Sequence, residues 1–179
     1  MSNSSARLQV VLHNIRSTYN VGAILRTAEG LGVEKVILSG YTPRPNDPEL
    51  LPHLRDKLTH QIAKSALGAE EMMPQETTHE IEKWIHEQKA AGWKIIGLEN
   101  NLNAKEESQK KLLGEDLGAK KIILVLGEEV AGIPNEVRSE LDFFLEIPMR
   151  GRKESFNVSV AAGMAMWALS AGARVEYGL

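Results

Sequence analysis

Apolar residues along the chain fall into two alternating patterns, short continuous runs and longer stretches with helical spacing. The runs predict strands over residues 8–13, 35–39, 93–99, 121–126 and 143–147, with a weaker one near Met72. The helical spacing predicts helices over residues 20–31, 59–69, 77–91, 134–141 and 157–171. Strands that alternate with helices form parallel sheets covered on both faces. The pattern therefore predicts an α/β fold with a doubly wound, mostly parallel sheet.

Two connections interrupt this alternation, and neither has the composition of a linker between domains. Residues 41–52 hold four of the seven prolines and predict a loop over the sheet edge. Residues 104–121 are rich in charge and predict a connection with one helical turn around residues 110–113. Because 179 residues suit one domain, we predict a single domain over residues 1–179.

The last predicted helix is apolar nearly all round and rich in Ala and Gly. This composition is typical of a well-packed core helix, and equally of a helix that also forms a subunit interface. The pattern does not decide between these two. For the three tryptophans, Trp84, Trp93 and Trp167, we expect places in the core rather than roles as stacking platforms.

Composition narrows the class of protein. An apolar fraction of 42% and a charged fraction of 25% are typical of a soluble globular protein. No apolar run reaches the length of a membrane span and no signal peptide is visible, so we predict a cytoplasmic location. The chain has no Cys, and its five His lack ligand spacing, so we predict no metal. The net charge of −3 means that any contact with nucleic acid must be local or shared across an oligomer.

Polar side chains are concentrated where the first predicted helix begins. Asn14, Arg16 and Asn20 precede or open this helix, and Arg26 lies inside it. Asn20 is the predicted N-cap, and the N–H groups of a helix N-terminus can bind an anion. Gly22 is expected to leave room in front of Arg26. The alternative is a capped helix with a solvated arginine.

A second stretch, IILVLGEEVAGIP at residues 122–134, joins a buried strand to the next helix. Its glycines suit the close approach of a flat or extended ligand to the backbone. It is not a dinucleotide-binding fingerprint, because G-x-G-x-x-G occurs nowhere in the chain. The plain alternative is that Glu128 and Glu129 favour the start of a helix.

A third stretch, EIPMRGRKESFNVSVAAG at residues 146–163, leads into the last helix and holds the densest positive charge in the chain. That charge comes from Arg150, Arg152 and Lys153. Ser155 or Asn157 can serve as the N-cap of the helix, which is the purely structural interpretation.

Together these stretches resemble the three motifs of the SpoU/TrmH-type RNA ribose 2′-O-methyltransferases, which belong to the SPOUT class. The matching patterns are N-x-R-S-x-x-N-V-G-A-I-x-R-T-A, L-G-x-E-x-x-G-[IV] and I-P-M-x-G-x-x-x-S-x-N-V-S-V-A-A-G, in family order, and the resemblance runs from about Leu8 to Ala173. It implies S-adenosylmethionine as cofactor, a homodimer, and a deep C-terminal trefoil knot over about residues 121–175. Many relatives carry an extra RNA-binding domain, and we predict none in this chain.

The resemblance also assigns roles to individual positions. Arg26 matches the catalytic arginine, and the other active-site polar positions are Asn20, Glu129, Ser155 and Asn157. The positions that would hold the cofactor are Leu98, Leu126, Gly127, Ile147, Met149, Phe156 and Asn157. We expect RNA to be held by Asn14, Arg16, Arg150, Arg152 and Lys153.

The implied activity is methylation of a ribose 2′-hydroxyl in structured RNA, with tRNA favoured and rRNA next. In the family Arg26 would be the base, but guanidinium is almost never deprotonated in proteins, so a fixed cation is the other possible role. One alternative function is an RNA-binding relative without catalysis, and another is an unrelated nucleotide-binding α/β enzyme. We expect neither a membrane nor a metal among the partners.

Overall fold

Seven strands and seven helices make up the described part of the computed structural model, which covers residues 7–100, 102–113, 115 and 117–170. The strands are β1 Arg7–His13, β2 Lys35–Ser39, β3 Gln75–Thr78, β4 Lys94–Leu98, β5 Lys110–Leu112, β6 Lys121–Leu126 and β7 Phe143–Glu146. The helices are α1 Thr18–Gly30, α2 Pro52–Ala66, α3 Ala69–Met72, α4 Ile81–Ala90, α5 Ala104–Glu107, α6 Asn135–Arg138 and α7 Val158–Ser170. Residues 171–175, where the last predicted helix and the predicted knot region end, lie outside the described residues.

All seven strands form one parallel sheet in the order β3-β2-β1-β6-β4-β7-β5. In the middle of the sheet, Val10 of β1 is aligned with Val36 of β2 on one side and with Leu124 of β6 on the other. The predicted α/β fold with a parallel sheet is confirmed. Strand β6 is inserted between β1 and β4, which both precede it in the chain. This insertion is compatible with the trefoil knot, which stays a prediction.

Two apolar layers cover the two faces of the sheet. On one face, Val10 and Leu12 pack with residues of α1, α2 and α7, while Val11 on the opposite face packs with residues of α4 and α6. Because both faces are buried, these strands are mostly apolar, although β1 also buries Gln9 and His13. Trp84 and Trp93 belong to the second layer, as predicted.

Helix α7 is buried on one side only. Ala162, Ala165 and Met166 are buried, whereas Val160 and Trp167 are 52% and 55% exposed. The expectation that Trp167 lies in the core is therefore wrong. An apolar helix with an open apolar side favours the interface alternative over the core alternative.

The region between β2 and α4 differs from the prediction. Helix α2 begins at Pro52 instead of residue 59, and proline suits this position because the first helical turn needs no N–H from it. The strand predicted near Met72 is wrong, since Met72 ends helix α3 and the strand follows at β3. The helix predicted from residue 77 consequently begins at Ile81. Strand β3 reads QETT and lies at an edge of the sheet, so no apolar run marks it.

The charged connection at residues 104–121 also differs. Residues 110–112 form the edge strand β5, whose Lys111 is aligned with Leu145 of β7, so the helical turn predicted there is wrong. The helical turn lies earlier, at α5. It is fixed by a capping box, in which the Asn103 side chain accepts from the Glu106 N–H and the Glu106 side chain accepts from the Asn103 N–H.

Helix α1 begins earlier than predicted. Its N-cap is Ser17, whose Oγ accepts a hydrogen bond from the Asn20 N–H at 3.3 Å. Asn20 therefore lies in the first turn, and the prediction of Asn20 as the N-cap is wrong. Its side chain is left to bond elsewhere.

Gly22 faces helix α2. A Cβ atom at Gly22 would lie 2.3 Å from the Ile62 carbonyl oxygen and 2.3 Å from the Ser65 Oγ. The expectation that Gly22 leaves room in front of Arg26 is therefore wrong. The glycine instead allows the backbones of α1 and α2 to approach closely.

Candidate active site

A cavity of about 270 Å³ opens at the carboxyl ends of β4, β6 and β7. Ligands of open α/β sheets bind at this edge. The lining comes from residues 98–100, 126–132 and 155–158, with Arg138, Ile147 and Ala161. It includes six of the seven residues expected to hold a cofactor: Leu98, Leu126, Gly127, Ile147, Phe156 and Asn157. The seventh, Met149, is not a lining residue.

One wall of the cavity, residues 126–132, is made largely of backbone. Glu128 and Gly132 exchange two backbone hydrogen bonds, of 3.0 and 2.9 Å. A Cβ on Gly127 would lie 2.3 Å from the backbone of Gly132 and Ile133. Gly132 has a φ of +72°, which favours glycine, and a Cβ there would lie 2.2 Å from Glu99 Oε1. The chain can fold back on itself here only because both positions lack a side chain.

The opposite side of the cavity carries apolar side chains. Leu126 and Ile147 are buried at the ends of β6 and β7, and Phe156 is partly exposed just before α7. Apolar side chains facing main-chain groups can hold a flat aromatic ring and read its edge by hydrogen bonds.

Glu129 connects this wall to helix α1. Its carboxylate accepts hydrogen bonds from the N–H groups of Arg16 at 3.2 Å and Ser17 at 3.3 Å, and from Asn20 Nδ2 at 3.0 Å. Burial raises the pKa of Glu129, but the hydrogen bonds from Asn20 and the backbone outweigh it, so the net pKa is lowered. The carboxylate is ionised at neutral pH. The anion expected at the N-terminus of α1 is thus a side chain of the protein itself.

Asn157 joins the same network from the other side. Its Nδ2 donates to Asn20 Oδ1 at 3.3 Å, and its Oδ1 accepts from the Ser159 N–H at 2.9 Å. The second contact is an N-cap bond, so Asn157 caps α7 as expected. Ser155 lines the cavity two residues before it. Asn20, Glu129 and Asn157 are therefore brought together, and Ser155 lies nearby.

Arg16 lies beside the cavity without lining it. Its guanidinium forms an ion pair with Glu128 and lies 6.0 Å from the centroid of the Tyr41 ring. A hydrogen bond to Tyr41 and the charge of Glu128 raise the pKa of Arg16. Arg16 therefore connects the cavity wall to the loop after β2.

The side chain of Asn14 contacts other residues of the protein through both ends of its amide. Its Nδ2 contacts His13 Nε2 at 3.1 Å, and its Oδ1 accepts from the Tyr41 N–H at 3.2 Å. His13 is buried, and its Nδ1 contacts Ser39 Oγ at 3.0 Å. Burial lowers the pKa of His13, which keeps the imidazole neutral. Both ends of the Asn14 amide thus fix the ends of β1 and β2, and its role toward RNA stays a prediction.

The remaining predicted cations are exposed. Arg26 lies on α1 and does not line the cavity, and its side chain has no ion pair or hydrogen bond with any described residue. Arg150, Arg152 and Lys153 lie in the loop between β7 and α7, also without partners among the residues that the structure describes.

An ion network below the cavity was not visible in the sequence. Arg138 donates to Glu106 through two nitrogens at 2.8 and 2.7 Å, and its third nitrogen lies 3.1 Å from Glu99 Oε1. These hydrogen bonds lower the pKa of Glu106 to about 2. Glu99 also accepts from the Ile133 N–H at 2.7 Å and so supports the glycine wall. No local spacing joins these residues, because they come from three separate elements.

Within the described ranges, no helix has the length and apolar character needed to cross a membrane. The same residues contain no group of three or more potential metal ligands from His, Asp and Glu side chains.

Fold and cavity together define a parallel α/β protein with a cavity at the carboxyl edge of its sheet. Residues 7–167 match the SpoU rRNA Methylase family, and the chain belongs to this family. It is 33% identical over 159 residues to a protein of Staphylococcus aureus (strain COL) assigned to the TrmH family of tRNA/rRNA methyltransferases. That alignment covers 88% of this chain and 56% of the relative, so the chain spans about half the length of this relative.

Solved structures share the fold. An AdoMet-bound rRNA methyltransferase from Sinorhizobium meliloti superposes with a TM-score of 0.74 at 25% identity, over 94% of this chain and 57% of that one. The TrmH/SpoU tRNA modifying enzyme of A. aeolicus has a TM-score of 0.73 at 22% identity, over 93% of this chain and 75% of that one.

Proposed function

We propose that this protein transfers a methyl group from S-adenosylmethionine to a ribose 2′-hydroxyl of RNA, with tRNA as the first candidate and rRNA as the second. The observation that carries this proposal is the cavity, which gathers six of the seven residues expected to hold the cofactor. Family membership and the AdoMet-bound relative from Sinorhizobium meliloti support the same cofactor.

The residues of the cavity fit S-adenosylmethionine. Leu126, Ile147 and Phe156 offer apolar surface for adenine, and the glycine wall leaves room that a Cβ at Gly127 or Gly132 would fill. The bound cofactor supplies a methyl group already activated by its sulfonium. A metal is not required for this chemistry.

The acceptor hydroxyl needs help from the protein, because a ribose 2′-hydroxyl is a poor nucleophile until its proton leaves. Arg26 can hold the adjacent phosphate and stabilise the developing negative charge on oxygen, as fixed donors do in oxyanion sites. Asn20 and Asn157 position the acceptor beside the cavity, since their hydrogen bonds with Glu129 and with each other fix both side chains.

A homodimer would bring Arg26 to a cavity. Arg26 does not line the cavity of its own chain, and α7, which packs beside α1, leaves Val160 and Trp167 exposed. We infer that two copies pair through α1 and α7, and that each Arg26 serves the cavity of the partner. Pairing would also combine two sets of basic residues on a chain whose net charge is −3.

Mixing two inactive variants tests this arrangement. Arg26→Ala and Asn157→Ala would each be inactive, but a mixed dimer keeps one intact site if Arg26 acts in the partner's cavity. Activity restored on mixing supports the proposal. No restoration, or a monomeric mass in light scattering with full activity, contradicts it.

Mapping ribose methylation by mass spectrometry tests the activity itself. RNA from cells with and without this protein should differ at one or a few 2′-O-methyl positions, and the RNA that carries them identifies the substrate. If the cells differ only in base methylation, the proposed acceptor is wrong. Binding of S-adenosylmethionine without any change in RNA would instead indicate a relative without catalysis.

A further inference from the structure

A second cavity, of about 490 Å³, lies beside the first and shares no lining residue with it. It is bounded by the start of α1, the loop after β2 and the middle of α2. Its lining includes Arg16, Thr18, Tyr41, Pro43, Leu50 and Leu58, together with the ion pair of Arg44 and Asp47. Its volume falls in the range of roughly 300 to 1,000 Å³ that is usual for small-molecule sites.

Tyr41 offers an aromatic surface in this cavity. Tyr41 is 53% exposed, although contacts with Asn14 fix the position of its backbone. Asn14 Oδ1 accepts from the Tyr41 N–H, and Gly40 just before it has a φ of +63°. A Cβ on Gly40 would lie 1.9 Å from Asn14 Oδ1, so only a residue without a side chain fits beside this contact. The structure therefore fixes the backbone of Tyr41 and leaves its ring open to solvent.

Arg16 adds a positive charge to this cavity and connects it to the first cavity. Its guanidinium lies over the Tyr41 ring at 6.0 Å and forms an ion pair with Glu128, which lines the first cavity. An aromatic ring next to an arginine is the combination on which single-stranded nucleic acids stack their bases.

The rest of the lining suits a base as well. Pro43, Leu50 and Leu58 provide apolar surface in the same cavity. The Thr18 hydroxyl makes no hydrogen bond with any described residue and can bond to the edge of a base.

We propose that this second cavity binds an unpaired nucleobase of the RNA, next to the nucleotide that is methylated, by stacking it on Tyr41. The inference rests on the proposed function, because it names how the same RNA is held. Tyr41 then holds a neighbouring base of the RNA by stacking, which tolerates any base, whereas Arg16 contributes mainly charge.

Two matched probes separate stacking from charge. One is a short single-stranded oligoadenylate, and the other is an oligomer of the same length and phosphate number with abasic riboses. Tyr41→Ala should lower the affinity for oligoadenylate about tenfold, the size typical of one stacked base, and leave the affinity for the abasic oligomer unchanged. Tyr41→Phe, which keeps the ring, should bind both like the wild type. Arg16→Ala should weaken both.

Met72→Ala is the control, because Met72 is exposed to 62% and lies before the amino end of β3, whereas Tyr41 follows the carboxyl end of β2 in the same parallel sheet. It should change neither affinity. The inference is overturned if Tyr41→Ala weakens both oligomers equally, which would mean that the ring only supports Arg16, or if it weakens neither.

An assay of methyl transfer distinguishes a failure of this inference from a failure of the proposed function. With bulk unmodified tRNA and labelled S-adenosylmethionine, Tyr41→Ala should raise KM for RNA with little change in KM for the cofactor. If the wild type transfers methyl groups and Tyr41→Ala has the same KM for RNA, the inference alone fails. If the wild type binds no RNA and transfers nothing, both fail.

Discussion

Two loops meet at the same cavity but are built in opposite ways. Residues 126–132 fold back on themselves through two backbone hydrogen bonds, and Glu129 and Glu99 tie this loop to its surroundings. In the loop between β7 and α7, every residue from Arg150 to Asn157 is exposed. The first loop is shaped in advance for a small ligand. The second presents charge at the surface, which suits a polymer whose phosphates can contact several side chains in turn.

Matched glycine substitutions should produce the largest contrast between these loops. Gly127→Ala would place a Cβ 2.3 Å from backbone atoms, whereas a Cβ on Gly151 meets nothing within 4 Å. We expect Gly127→Ala to abolish cofactor binding and methyl transfer and to cost about 1 to 3 kcal/mol in the free energy of unfolding, as overpacking does. Gly151→Ala should keep both properties. Calorimetric titration with S-adenosylhomocysteine and thermal unfolding measure the two effects, and equal behaviour of the variants would refute the contrast.

Substitution of Arg26 should lower methyl transfer without affecting cofactor binding. Arg26→Ala should lower the rate of methyl transfer about a hundredfold or more, while S-adenosylmethionine binding survives because the proposed contacts of Arg26 are with the RNA phosphate and the acceptor oxygen. Arg26→Lys keeps the charge but loses the planar fork, and should also be severely impaired. Single-turnover assays and cofactor titration check this. Near-normal turnover of the lysine variant would show that a guanidinium is not needed.

The exposed basic loop should affect RNA alone. Replacing Arg150 and Arg152 with Ala should weaken RNA binding and flatten its dependence on salt, by roughly 0.7 in log–log slope for each lost contact with single-stranded RNA. Cofactor affinity should stay nearly unchanged. RNA titrations at several salt concentrations give the slope, and an unchanged slope would mean that the RNA surface lies elsewhere.

The smallest effect on function is expected from the ion network that supports the first loop. Glu106→Gln should lower the free energy of unfolding at neutral pH by about 1.5 to 3 kcal/mol, the range for hydrogen bonds to charged groups. The pKa of Glu106 is lowered to about 2 by Arg138, so its contribution is complete above the ordinary carboxyl pKa and is lost as the pH falls toward 2. Denaturant unfolding of both proteins at several pH values should show a difference that shrinks on acidification. A difference that stays constant or grows on acidification would contradict this role.

The sequence predicted the strands that have a neighbour on each side. Strands β1, β2, β4, β6 and β7 are flanked by other strands, and burial on both faces makes them continuous apolar runs. The two missed strands, β3 and β5, are the edges of the sheet. Their sequences QETT and KKL carry the polar and charged residues that edge strands tolerate, so no hydrophobic pattern identifies them.

The candidate site also has a part that the sequence predicted and a part that it did not. Two cavity loops, residues 126–132 and 155–158, could be predicted because each lies next to an apolar element in a stretch with a distinctive motif, whereas Leu98 was expected only from the resemblance. The contact of Glu129 with the N-terminus of α1 could not, since it joins residues more than 100 positions apart and replaces the expected external anion. Gly22 shows the same limit, because helical spacing gives its position on α1 but not which neighbour packs there.

Incubation of the purified protein with unmodified tRNA and isotopically labelled S-adenosylmethionine tests the central claim most directly. After digestion to nucleosides, mass spectrometry shows which atoms received the label. The proposed activity predicts label in 2′-O-methylated nucleosides with the wild type and none with Arg26→Ala. Label found only in methylated bases, or no label although the cofactor binds and both tRNA and rRNA are offered, would contradict it.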